Sequence, residues 1–241
     1  MNNQIIKDLK KAIILLVVIC SVASCGKEEI YSCDPETDMW VKSNLTEIKQ
    51  MSRADWIAIG DLSLQRAVYA AFIPDQKQAL WIGKMEEVLT LDWTEQENQH
   101  IQSMFELIKV NSFAFSNERV QEAFDKVEVE LYKWIEYAKE ELGWDNNLLY
   151  SLVVTPLAMN EKKEIIGINL NPKPIATTSL KRGYEPCSPE ITGTDYIWCD
   201  CSTSSDWCVS TRKCESNSNC KTTSGCGTIG WYECNGCCRL K

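Results

Sequence analysis

Histidine is almost missing from this chain: 241 residues contain one, His100. A nucleophile–histidine relay needs an imidazole with a placed partner, and a histidine-rich metal cluster needs several. A single histidine beside Ile101, at the edge of an apolar stripe, reads instead as a plain, partly buried side chain. The chain has no GxSxG elbow, no phosphate-cradling GxxxxGK[ST] loop, no GxGxxG and no HExxH. Acidic pairs are plentiful, but a solvated helix face presents them as readily as a two-carboxylate hydrolase does. No catalytic residue, cofactor or metal ligand is therefore nominated, and the chain reads as a non-enzyme. There is also no convincing internal repeat.

Charge excludes a further class. The chain carries a formal net charge of −9, whereas its last forty-six residues set five cations against four acids. The acidity therefore lies upstream, which argues against nucleic acid as a partner.

The N-terminus supplies an address. Lys7, Lys10 and Lys11 precede an apolar run from Ala12 to Ile19, and Val22-Ala23-Ser24 leads into Cys25. That run is too short for a stable spanning helix but suits a signal-peptide core. Small residues directly before the cysteine resemble a bacterial lipobox, so residues 1–24 are expected to be a lipoprotein signal and Cys25 the lipidated first mature residue. Acyl chains contribute ~0.8 kcal/mol per buried CH₂, so a multiply acylated Cys25 anchors stably. Lys27-Glu28-Glu29 resembles the surface-export signal of lipoproteins in some Gram-negative bacteria. The expected location is the outer membrane, at the cell surface. The membrane is a partner through the lipid anchor.

After a polar tether over 25–35 containing Cys33, helical periodicity runs through an expected domain at 36–170. Met51, Trp56, Ile59, Leu64, Val68 and Phe72 recur at near-helical spacing, with Gly60 as a break. Pro74 suits a first turn. Thr94 and Glu97 form a capping box before a stripe of Ile101, Met104, Phe105 and Ile108. Ser116 is the expected cap of the longest helix, which runs toward a left-handed stop at Gly143. Leu148–Leu157 fits helix or strand, and Glu164–Leu170 suggests a short strand. Residues 171–195, rich in Pro, Gly, Ser and Thr, read as a linker carrying Cys187 and the dibasic Lys181-Arg182, a candidate processing site.

The closing segment, 196–241, holds nine of thirteen cysteines and no long hydrophobic run. A segment that small needs covalent staples or a metal, and an oxidising compartment favours disulfides over thiolate zinc. The expected disulfide set is Cys187, Cys199, Cys201, Cys208, Cys214, Cys220, Cys226, Cys234, Cys237 and Cys238, which leaves Cys33 odd. Many connectivities are open. Adjacent Cys237 and Cys238 are expected to pair elsewhere than with each other.

Cys199-Asp200-Cys201-Ser202-Thr203-Ser204-Ser205-Asp206-Trp207-Cys208, then Cys214, Cys220, Gly225-Cys226-Gly227-Thr228 and Trp231-Tyr232 before Cys234, carry a family likeness. They resemble fulvocin C, a small cysteine-rich bacteriocin, and the lipoproteins described as bacteriocin fulvocin C-related. The adjacent Cys237-Cys238 departs from that pattern. The resemblance implies a mainly α protein: a helical domain followed by a disulfide-stapled module with little regular structure. It also implies antagonism of other bacteria, by display or by release of the module against a target-cell receptor or membrane. Trp198, Trp207, Trp231 and Tyr232 are the candidate target contacts, or alternatively the module's own core. The competing function is a non-toxic adhesion or ligand-binding head.

Overall fold

The computed structural model describes residues 29–32, 34–116, 118–166, 197–198, 201–205, 207–208, 212–216, 220–221 and 223–240. Cys25, Lys27, Glu28, Cys33, Lys181, Arg182, Cys187 and Cys199 lie outside them, as do the side chains of Trp198 and Cys220. Among the described residues no helix is long and apolar enough to cross a membrane.

Short polar side chains open most helices, because each satisfies a first-turn N–H that has no intrahelical acceptor. Asp34 caps α1 (Pro35–Ser43), and α2 (Leu45–Ile48) follows at once. Ser52 and Asp55 form a capping box on α3 (Arg53–Ile57), and Asp61 caps α4 (Leu62–Ala71) beyond the Gly60 break. Pro74 occupies the first position of α5 (Pro74–Leu89). Thr94 and Glu97 close the expected box at the head of α6 (Glu95–Val110), and Asp145 caps α8 (Asn146–Val153). The fold is mainly α.

One local expectation is corrected. The longest helix, α7 (Gln121–Glu140), starts after Val120 without a side-chain cap. Ser116 instead ends a 3₁₀ turn over Ser112–Phe115, and its hydroxyl accepts from the Glu118 N–H. Arg119 is the reason, since it ties the turn's Ala114 carbonyl and delays the helix. Of the strand expected over Glu164–Leu170, the described residues reach Ile166 and form one bridge between Met159 and Ile165, and residues 167–170 lie outside them. Leu148–Leu157 resolves as the end of α8 and a loop, because Pro156 cannot continue a helix. Gly143 has φ +66°, and the Trp144 N–H closes the end of α7 on the Ala138 carbonyl.

The C-terminal segment is built from short ladders. β1 (Ile197–Trp198) runs parallel to β3 (Cys220–Lys221). β2 (Arg212–Ser216) is antiparallel to β6 (Gly236–Leu240), and β4 (Thr223–Cys226) to β5 (Tyr232–Cys234) across a bulge near Ser224. Disulfides join Cys201 to Cys214, Cys208 to Cys238 and Cys226 to Cys234, with Cα separations of 6.0, 5.5 and 5.1 Å. Cys237 is disulfide-bonded as well.

This segment has no separate apolar core among the described residues. Ile229, Trp231 and Tyr232, on the loop that Cys226–Cys234 closes, are buried with Trp81, Met104, Phe115 and Phe124 of the helices. Trp231 meets the rings of Phe115 and Phe124 edge to face, at 5.6 and 6.3 Å. On the helical side Tyr69 is the counterpart, its hydroxyl accepting from the Trp81 indole N–H at 3.1 Å. A Cβ added at Gly225 or Gly230 would lie 2.6 or 2.5 Å from the Tyr69 side chain, so only glycine allows this approach, and both have positive φ. Ile229 is fully buried at φ +57°, a left-handed conformation that costs a β-branched residue about 1–3 kcal/mol. The bridge and the surrounding packing hold it there.

Opening that bridge is therefore expected to weaken the whole protein. Cys226→Ala with Cys234→Ala should cost about 2–4 kcal/mol in urea denaturation. An unchanged midpoint by helical circular dichroism would show that the loop does not support the helices.

Candidate functional site: a polar cleft at the junction

Where the closing loop meets the helices, a cleft of about 410 Å³ opens between the start of α7 and strands β4 and β5. Its helical wall begins with Arg119. The guanidinium lies over the Phe124 ring, 3.5 Å to the centroid. Its Nη1 donates to the Ala114 carbonyl at 3.0 Å and to the Trp231 carbonyl. Burial lowers the Arg119 pKa, opposed by Glu128, Tyr232 and Glu233. Across from it Lys77, 5% exposed, donates from Nζ to the Ser224 Oγ at 3.2 Å. Burial first, then Glu128, raises the pKa of the Tyr232 phenol above its ordinary value, so the phenol stays protonated and hydrogen-bonded to Glu128.

The opposite wall comes from the serine-rich block that begins at Cys201. Cys201 pairs through its backbone with Gly236, and its carbonyl accepts from the Asn235 and Gly236 N–H groups. Asn235 Oδ1 in turn accepts from the Thr203 backbone N–H and hydroxyl at 2.8 and 3.0 Å. Ser205 Oγ accepts from the Thr228 N–H, and the Trp207 indole donates to the Thr228 hydroxyl at 2.7 Å. The block thus holds the loop that enters the helical core, and Ser202, Ser204 and Asn235 line the cleft.

The candidate target contacts separate. Trp231 and Tyr232 are buried, 2% and 9% exposed, so the expectation that they meet a target at the surface is corrected: helical aromatics cover them. Trp207 is half-buried against Thr228. Of the export signal, Glu29 is described and is exposed. The sulfurs of Cys201, Cys208 and Cys214 lie within 4.8 Å of one another, a spacing that suits a metal. In the oxidised chain all three are bonded in disulfides and offer no thiolate.

His100 lies elsewhere, within an aromatic cage. It stacks on Trp134 at 4.3 Å and 9°, with Tyr137 at 4.8 Å and Trp144 at 5.6 Å. Its Nε2 donates to the Trp134 carbonyl at 3.0 Å, while the Trp134 indole donates to the His100 carbonyl at 2.8 Å. Burial lowers its pKa below 6.5, opposed by the bond to Trp134. The unfolded chain therefore takes up this proton first, and stability present above 6.5 is lost as pH falls toward the depressed value. The melting temperature should drop between about pH 7.5 and about pH 5, and should drop less in His100→Phe, which keeps a stacked ring. Equal drops in both proteins would remove His100 from that acid sensitivity. For Glu97, burial alone would raise the pKa, but bonds from Thr94 and the Trp144 indole hold it below 4.5. Its contribution is lost only at lower pH.

Sequence reasoning did not single out Arg119, Glu128 or Lys77. Lys77 alone left a trace, since it is one turn before Leu80 and Trp81 on the apolar stripe of α5.

These features define a mainly α-helical, disulfide-rich protein whose cysteine-stapled end is packed into the helical core, with a polar cleft along the seam. No family model, curated protein or solved structure matches the chain.

Proposed function

We propose that the protein works as an intact, lipid-anchored recognition protein at the bacterial cell surface, with the cysteine-rich segment as a fixed part of its binding face and no enzymatic activity. The burial of Ile229, Trp231 and Tyr232 among helical side chains carries this reading. A segment that surrenders its largest apolar side chains to another body would expose them on release, at a cost of about 1.5–3 kcal/mol each. The Cys25 lipobox and Lys27-Glu28-Glu29 support the address. The disulfides suit an oxidising compartment.

The second reading is antagonism of other bacteria by the displayed, fulvocin C-like segment. The Cys199–Cys208 block and the cysteine spacings favour it.

Intact mass of the mature protein, from cells and from medium, with and without reductant, tests the proposal. A full-length, lipidated, oxidised and cell-bound chain is the expected result. An oxidised fragment in the medium, beginning between Lys181 and Cys199, would overturn it and favour a released antagonist. Growth inhibition of a strain panel by cells displaying the wild-type protein, but not by Cys226→Ala/Cys234→Ala cells, would favour tethered antagonism.

A further inference from the structure

We propose that the bridges Cys201–Cys214 and Cys208–Cys238 form one thiol–disulfide exchange site, where a small external thiol catalyses their conversion to Cys201–Cys208 and Cys214–Cys238. The site is independent of what the protein recognises. Two observations carry it. The sulfurs of Cys201, Cys208 and Cys214 lie within 4.8 Å of one another although they belong to two different bridges. Separately, Cys214 stands directly opposite Cys238 in the β2–β6 ladder.

Opposite residues of an antiparallel pair share a face and sit about 4.5–5.5 Å apart at Cα, inside the ~4.4–6.8 Å that a disulfide spans. A Cβ added at Gly236 would lie 2.6 Å from the Cys214 sulfur, so that sulfur rests over the face of β6 that Gly236 shares with Cys238. Cys237 lies on the alternate face, 0% exposed, and stays outside the exchange. Both pairings are within reach of the same backbone.

Access sets the order of events. Cys208 and Cys238 are half-buried, whereas Cys201 and Cys214 are buried. The external thiolate attacks the Cys238 sulfur, forming a mixed disulfide there and releasing the Cys208 thiolate. That thiolate attacks the Cys201 sulfur, closing Cys201–Cys208 and releasing the Cys214 thiolate. Cys214 then attacks the Cys238 sulfur, closing Cys214–Cys238 and returning the external thiolate. Two disulfides enter and two leave, with no net oxidation or reduction.

The exchange changes what is tied to what. In the first pairing the block from Cys201 to Cys208 is stapled at both ends to the β2–β6 ladder. In the second it closes on itself, and hydrogen bonds such as those from Thr203 to Asn235 and from Cys201 to Gly236 hold it in place. The block that lines the junction cleft is thereby loosened without cutting the chain.

Cys208→Ser and Cys238→Ser test each half in the full oxidised chain. The first leaves the Cys238 thiol opposite Cys214, from which it should displace Cys201. The second leaves the Cys208 thiol, which should join Cys201 and displace Cys214. Brief alkylation, digestion without reduction and mass spectrometry locate the free thiol, expected on Cys201 and on Cys214 respectively in upwards of about 1% of chains. Wild-type protein held in reduced and oxidised glutathione supplies a second arm should either variant fail to fold. Peptides joined Cys201–Cys208 and Cys214–Cys238 should then appear together, with Cys226–Cys234 unchanged. Label confined to Cys238 and Cys208 in the two variants, only the original bridges after glutathione, or pairing spread over Cys226, Cys234 and Cys237 would overturn the exchange site.

Discussion

Replacing Lys84 by alanine is expected to cost roughly 3–5 kcal/mol, from stranded carbonyls and a cavity together. Lys84 is 0% exposed in the middle of α5. Its Nζ donates to the carbonyls of Ser151, Thr155 and Leu157 at 2.5, 2.9 and 2.7 Å. One ammonium thereby satisfies acceptors at the end of α8 and in the loop beyond it, which the helix leaves unpaired. Arg53 completes the tie, binding the Pro156 carbonyl and the Glu87 carboxylate. Lys84→Met retains the apolar stem but none of the three donors, so it should recover only the packing part of the loss. Urea denaturation followed by circular dichroism reads both variants, and a loss below about 1 kcal/mol for Lys84→Ala would mean that water serves the carbonyls equally well.

The same residue sets a pH slope. Burial first, then Arg53, pushes the Lys84 pKa well below 10.5, with Glu87 opposing. The unfolded chain holds this proton more tightly, so the contribution of Lys84 to stability rises with pH from the depressed value up to 10.5. Lys84→Met should lack that rise. Identical slopes in both proteins would mean that the buried amine does not titrate in that range.

Trp231→Ala is expected to be comparable, about 3–5 kcal/mol, for removing a large ring from the shared core. Here the quality of the loss matters as much as its size. With the cysteine-rich segment and the helices sharing one core, the variant should melt at a lower temperature by helical circular dichroism and become sensitive to protease in both parts. A helical melting temperature equal to wild type would show that the two parts fold independently, against the reading of a fixed binding face.

Much of the local structure was legible in the sequence. Thr94 and Glu97, Pro74, the Gly60 break and the stripe through Ile101, Met104 and Ile108 each act within a few residues. The cost of an unmatched first-turn N–H or a misplaced apolar face is settled locally. Ser116 misled for a related reason: a good cap was present, but Arg119 tied the preceding turn to Trp231 and moved the helix start.

The site was far less legible. The cysteine content and the serine-rich block determined by themselves that the C-terminal segment would be stapled, since it holds too little apolar surface to fold otherwise. Where its aromatics would go depended on what stood opposite them. Trp231 and Tyr232 look the same in sequence whether they face a target or a core. Only the tertiary structure placed Phe115 and Phe124 around Trp231, set Tyr69 against Gly225 and Gly230, and joined Lys77 to Ser224 across 147 positions. Hydrophobic burial has no direction of its own, so a sequence marks which side chains must leave water, and the fold decides against what they come to rest.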